Sequence, residues 1–287
     1  MKKTDALILL VGIITFFGCK TNKEVIPSIE NPYLGQKPPG TTPIPFAPGM
    51  VTSNGWEYGG TFTPDLKKFY FIRAGEEKQE FVVYQYKNKK WQDSVISSRI
   101  GQPFISPDGK TMHLGRRYKS LTKNGWSDVK KLNSPFDTLP IMRLTVSSKG
   151  TYFFDEFKRD YTGDIRYSRL INGKRELPKL LGKDINTGKS FHPFIAPDES
   201  YLIFDGNRKG GYGDSDLYIC FKQDNGSWGK VINLGEKVNT SAWEASANIT
   251  PDGKYLLFNR NVGSDKFENV DIFWVDVKEI MKLNPNQ

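Results

Sequence analysis

Glu57, Gln102, Arg143, His192 and Glu244 stand far apart in a chain of 287 residues, yet each lies a short, repeated distance before a recurring turn. Together they supply two carboxylates, a guanidinium, an amide and an imidazole. Trp56 and Trp243 each precede one of the acids, in a shared Trp-Glu dipeptide. If folding gathers these side chains, three uses are open. They can satisfy one another, Arg against Glu, at a crowded junction. They can hold a glycan or peptide, with the indoles stacking and the charged groups fixing orientation. Or Glu57 and Glu244 can act as an acid and base pair, or His192 as a base, on a polysaccharide, because glycoside hydrolysis needs two carboxylates.

Metal and thiol chemistry have less to work with. His113 and His192 are the only histidines, and Cys19 and Cys220 the only cysteines, so a Cys-His metal cluster cannot be assembled. Asp205, Asn207, Asp214 and Asp216 offer oxygens for Ca²⁺, but their spacing lacks the twelve-residue loop pattern, and turn capping is the expected role. No metal and no cofactor is expected. Cys220 alternates with Tyr218 along an apolar strand and reads as a small buried hydrophobe.

The elements that must position the polar set are visible as repeats. Phe62-Thr63-Pro64-Asp65, Ile105-Ser106-Pro107-Asp108-Gly109-Lys110, Val146-Ser147-Ser148-Lys149-Gly150, Ile195-Ala196-Pro197-Asp198 and Ile249-Thr250-Pro251-Asp252-Gly253-Lys254 recur at spacings of 43, 41, 49 and 54 residues. Each precedes an aromatic or aliphatic strand, as in Tyr201 to Phe204. A third strand follows, as in Asp216 to Phe221, and then a closing strand. Trp91, Trp126 and Trp228 mark the closing strand, with Arg175 in the Trp place of one unit. Short strands rich in aromatic and β-branched residues, parted by Pro-Asp and Asn-Gly turns, predict antiparallel four-stranded sheets. Four strands repeated every 40 to 50 residues predict an all-β fold, a β-propeller. Five units are countable, giving five or six blades; Tyr33 to Ser53 either adds a degenerate blade or closes the ring.

The Ser/Thr-Pro-Asp-Gly-Lys turn, the aromatic strand and the following Asp-Ile/Leu-Tyr resemble the WD40-like PD40 repeat of TolB-like β-propellers over about residues 56 to 283. The resemblance implies a propeller exported to the bacterial envelope. The Gly-His and Trp-Asp pairs of true WD40 repeats are missing. So is the Asp-box of sialidases, and the several metal-binding histidines of oligogalacturonate lyases exceed what this chain has.

In a propeller the strand before each Pro-Asp turn lines the axis. Five residues before the markers stand Gly59, Gln102, Arg143, His192 and Ser246; seven before stand Glu57, Ile100, Ile141, Ser190 and Glu244. The reading is therefore a polar rim of Glu57, Gln102, Arg143, His192 and Glu244 at one mouth, flanked by Trp56 and Trp243.

The start of the chain concerns address. Met1-Lys2-Lys3 is basic, Ala6 to Phe17 is an apolar run of 12 residues, and Gly18-Cys19 follows. The run suits a secretory signal and is too short to span a bilayer. It resembles the lipobox of bacterial lipoproteins, with residues 1–18 removed and Cys19 lipidated; acyl chains would anchor the protein to the membrane. Phe17 departs from the usual residue there. Residues 19–32 read as a tether and 33–287 as the propeller domain. The net charge of +9 comes from scattered Lys and Arg with only short clusters, which argues against nucleic acid. A monomer is expected, facing a glycan or an envelope protein.

Overall fold

The computed structural model describes residues 32–158 and 163–285; Cys19 and the signal segment lie outside them. Among the described residues five antiparallel blade sheets follow one another along the chain, with a two-stranded hairpin, Leu170–Ile171 and Lys174–Arg175, inserted in the third. The first blade holds Glu57–Phe62, Lys68–Arg73, Glu80–Lys87 and Lys90–Ser98, from inside to outside. The second holds Pro103–Ile105, Thr111–Leu114, Arg117–Thr122 and Lys130–Lys131, and the third Ile141–Val146, Tyr152–Glu156, Ile165–Ser168 and Lys179–Leu180. In the fourth the strands are Lys189–Ile195, Tyr201–Asn207, Asp216–Phe221 and Ile232–Asn233. The inner strands adjoin in a closed cycle, first to second through fifth and back to first, so the five blades form a propeller.

The fifth blade is composite. Its inner three strands, Glu244–Ile249, Tyr255–Asn261 and Val270–Asp276, come from the end of the chain, and its outermost strand, Ile44–Pro45, comes from the beginning. Ile44 pairs with Trp274 and Pro45 with Phe273. A Pro has no N–H for a ladder, so an edge strand is where it is tolerated. Phe46 follows, wholly buried against Phe62, Phe69 and Trp274. The segment from Tyr33 to Ser53 therefore closes the ring and makes no sixth blade.

The recurring turn has a physical reason. The hydroxyl before Pro bonds to the Asp two residues on, at 2.6 Å for Thr63, 2.6 Å for Ser106 and 2.7 Å for Thr250. It also accepts the N–H that opens the next strand: Lys68, Thr111 and Tyr255. The side chain substitutes for a ladder partner where the chain reverses. Where Ala196 stands instead, Ser200 takes over the bond to Asp198.

Bulk comes from aromatic residues wedged between blades. Phe69, Phe71, Phe154, Phe204, Phe258 and Trp274 are fully buried, each stabilising the fold by about 1.5–3 kcal/mol relative to exposure. Cys220 lies among them with no solvent exposure in its strand. The core between the second and third blades is the smallest, made of Leu132, Phe136, Ile141, Leu144 and Phe154.

Inner strands bulge at one level. The register slips between Tyr58 and Thr61, Ile141 and Leu144, Phe191 and Phe194, and Ala245 and Asn248. Gly59, His192 and Ser246 take left-handed φ values of 70°, 46° and 58° there. Two of those three carry side chains that resist such a conformation, so neighbouring groups must hold it.

Candidate functional site

Three of the four bulges are held by the preceding blade, and the fourth by its own. Asp155 on the second strand of blade three accepts the backbone N–H of His192 in blade four at 2.9 Å, and that of Arg143 in its own blade at 2.8 Å. Asp205 of blade four accepts the N–H of Ser246 in blade five at 2.8 Å. Asn259 of blade five accepts the N–H of Gly59 in blade one at 3.1 Å. Blades three, four and five thus each lend one polar side chain that pins the next blade's bulge, satisfying an N–H that the bulge leaves unpaired.

The bulges aim side chains at the axis, where all five blades meet in a continuous hydrogen-bonded set. Arg143 donates to Ser246 Oγ at 2.6 Å and to the Ala247 carbonyl at 2.8 Å. Ser246 Oγ donates to Gln102 Oε1 at 3.3 Å, and Gln102 Nε2 donates to the Tyr58 hydroxyl at 3.3 Å. Tyr58 lies 3.1 Å from His192 Nε2, and His192 Nδ1 lies 2.9 Å from Asp205. In the tautomer whose Nδ1–H donates to Asp205, Nε2 accepts from the Tyr58 hydroxyl. Burial pushes the Asp155 carboxyl up, against the pull of His192 and the two N–H groups. Burial also lowers the Arg143 guanidinium and raises the Tyr58 hydroxyl.

The structure therefore brings together Gln102, Arg143 and His192, with Ser246. It buries them: Arg143 is 1% exposed, Gln102 2% and His192 5%. They fill the axis instead of rimming it. Glu57 and Glu244 stand two residues earlier and serve the loops entering their blades. Ser53 Oγ donates to Glu57 at 2.5 Å, and Thr240 Oγ1 to Glu244 at 2.7 Å, the same four-residue cap in both blades. Glu244 also binds Arg260 at 2.8 Å with no exposure of its own. Burial raises the Glu57 carboxyl, with Ser53 and Arg73 opposing. Both acids are occupied by the protein itself.

What faces outward at this mouth is aromatic. Trp56 stacks on Tyr58 with centroids 5.3 Å apart and planes within 10°, and Tyr58 stacks near Trp243 at 6.1 Å and 23°. Phe267 meets Trp243 edge-on at 5.5 Å, and Arg99 lies 5.8 Å over Trp56. Both Trp residues are half-buried, while Phe267 and Arg99 are exposed. The backbone of each Trp also forms a β-bridge to the preceding blade, Trp56 to Val270 and Trp243 to Ser215.

Counting back from the turns does not name Tyr58, Asp155 or Asn259, and Asp205 enters the sequence reading only as an oxygen for Ca²⁺. Their signal was present: Phe154-Asp155, Phe204-Asp205 and Phe258-Asn259 repeat at one blade position. The loop acids cap turns. Asp216 accepts the N–H groups of Tyr212 and Gly213, and Asn207 donates to the Asp214 carbonyl.

The fold and its filled axis define a five-bladed β-propeller. No family model and no curated protein matches the sequence. Among solved structures the chain is similar to TolB from Acinetobacter baumannii, at 14% identity and a TM-score of 0.47, over 77% of this chain and 57% of that one. It is also similar to a putative TolB from Agrobacterium tumefaciens, at 17% identity and 0.46, over 78% of each chain. A gluconolactonase from Xanthomonas campestris aligns at 8% identity and 0.48, over 84% of this chain and 96% of that one. This chain thus spans under two thirds of the first of these. At such identities the likeness is one of fold.

Proposed function

We propose that this protein is a binding module of the bacterial cell envelope, anchored through acyl chains on Cys19, that takes a glycan at the mouth carrying Trp56 and Trp243. The observation that supports this reading is the aromatic platform of Trp56, Trp243 and Phe267, carried on the buried Tyr58 over a rigid axis. Indoles offer apolar faces to sugar rings and an N–H at the edge. A platform whose Tyr58 is fastened beneath by His192 and Gln102 loses little freedom when a ligand lands on it. Acid–base catalysis at this mouth is not favoured, because Glu57 and Glu244 are committed to Ser53, Thr240 and Arg260.

The test uses the Cys19→Ser chain with a panel of acidic and neutral polysaccharides, reading binding and release of reducing ends together. Binding without cleavage, weakened at least tenfold by Trp243→Ala, is the expected result. Cleavage would replace the reading with an enzyme, and silence across the panel would move the search to envelope proteins. For the anchor, Cys19→Ser should shift the protein from the membrane to the soluble fraction. Continued membrane fractionation would end the lipoprotein reading.

A further inference from the structure

The opposite ends of the inner strands carry a different feature. Between the second and third blades lies an open cleft of about 650 Å³, bounded by Ser106, His113, Tyr118, Ser134, Tyr152 and Arg175. Its origin is a break in the repeat. At the junction of blades one and two, Trp126 reaches back and donates its Nε1–H to the Tyr70 hydroxyl at 2.8 Å. At the junction of blades three and four, Trp228 packs edge-on against Phe153 at 6.1 Å. In each case a Trp of the later blade covers a second-strand residue of the earlier one. By position His113 is the residue to be covered at the junction of blades two and three, and Arg175 stands where the Trp should be. Arg175 folds over Tyr152 of its own blade, its Cζ 3.3 Å from the ring centre, and donates to the carbonyls of Ser168 and Gly150. In place of a Trp wedge His113 has Tyr152 edge-on at 5.4 Å; it is 3% exposed, and its buried Nδ1 has no hydrogen-bond partner among the described residues.

We propose that this cleft is a second binding site, for an uncharged mono- or disaccharide, with His113 and Arg175 as its determinants. The volume is within the range of small-molecule sites. The charged groups lining it are already used: Arg175 by two carbonyls and a ring, Asp108 by Ser106 Oγ and the Lys110 N–H. Burial and the nearby Arg175 push His113 down to about 3, so its ring is neutral at physiological pH. An anion entering the cleft finds no uncommitted counter-charge among the described lining residues; the exposed Lys130 lies 6.0 Å over Tyr118. The remaining groups are an imidazole without a partner, hydroxyls of Ser134 and Ser148, the Asn133 amide, and the aromatic sides of Tyr118 and Phe136. Hydroxyls on a ring with an apolar face match that set. An unsatisfied buried nitrogen is costly, and a ligand hydroxyl would supply the bond it lacks. The site is independent of the aromatic mouth, which lies at the other end of the inner strands.

The experiment titrates the Cys19→Ser chain with cellobiose, maltose and, as the charged comparison, digalacturonic acid. Binding is read by calorimetry and by the ring carbon and nitrogen resonances of His113. The expected result is saturable binding of a neutral disaccharide that moves the His113 resonances. His113→Phe, which places the residue type of Phe153 there, should weaken it at least tenfold. Arg175→Trp, which supplies the missing wedge, should abolish it while thermal unfolding stays cooperative. Failure of every neutral disaccharide to move the His113 resonances at tens of millimolar overturns the proposal. So does preference for the acidic sugar, or binding that survives both substitutions. The resonance readout needs no variant, so a variant that fails to fold leaves the decision intact.

Discussion

Arg143 donates to Ser246 at 2.6 Å, joining the third blade to the fifth across the axis, past the fourth. The bond is one of several that cross the ring, since Tyr58 of the first blade meets His192 of the fourth in the same way. A propeller's sheets otherwise touch only their neighbours. Here the centre acts as a hub whose loss is felt by every blade.

Replacing Arg143 should show this. Arg143→Met removes the donor to Ser246 and to the Ala247 carbonyl and leaves Asp155 and Asp205 without a nearby cation. Breaking a buried set of this kind costs about 3–5 kcal/mol, to be read as a lower denaturant midpoint. An unchanged midpoint would mean that the axis contributes nothing net.

The two look-alike glutamates should differ. Glu244→Gln breaks a fully buried bond to Arg260 and should cost about 1.5–3 kcal/mol. Glu57 is held above the usual carboxylate range by burial, so Glu57→Gln removes a disfavoured charge and should cost less than about 1 kcal/mol. Equal costs in paired unfolding curves would refute the distinction.

Asp271 gives a pH dependence. Burial, with Glu57 adding repulsion, pushes its carboxyl up to about 6 from an ordinary 3.8. The folded protein holds this proton more tightly than the unfolded chain. The contribution to stability is therefore complete below 3.8 and is lost as pH rises through 6. Asp271→Asn should stabilise the protein by about 1 kcal/mol at pH 7.5, after allowance for solvent screening, and by nothing near pH 3.5. Stability curves for both chains across that window provide the check.

Burial pushes the Cys220 thiol up to about 12. A thiol so held is neither ionised nor reachable at pH 8. Its labelling by a disulfide reagent should follow global opening and rise steeply with denaturant. Prompt labelling of the native protein would contradict the packing.

Ring closure can be tested at one side chain. Phe46→Ala empties a site bounded by Phe62, Phe69 and Trp274 and should cost about 3–5 kcal/mol. Cost near zero would mean that the Ile44–Pro45 strand is dispensable.

The blades were legible because strand chemistry is local. The Pro-Asp turns, the aromatic second strands and the closing Trp residues each follow from a few neighbouring residues. Counting back from the turns also named Gln102, Arg143, His192 and Ser246 as one level, and the structure joins them. Burial was not legible in the same way. Whether a polar residue near a channel mouth is wet depends on what roofs it, and the roof here is Tyr58 with two indoles. Glu57 and Glu244 looked free because their caps, Ser53 and Thr240, lie four residues upstream and signal a loop as readily as a cap. The cleft over His113 was foreshadowed only by Arg175 in a Trp position. An exception to a repeat shows its meaning once the neighbouring junctions are seen filled.

The composite fifth blade sets a timetable. Its outermost strand, Ile44–Pro45, is made first, and the Val270–Asp276 strand it must clasp is made more than two hundred residues later. Phe46 has no seat until then. A chain emerging from its N-terminus therefore cannot lock its ring until Val270–Asp276 has been made. Pairing across such a span is slow to form. Once made, it places the seam beside the segment that leads toward the start of the chain, so a pull from that end meets first Tyr33, buried against Phe62, Tyr255 and Trp274, and then the two paired residues and the Phe46 ring.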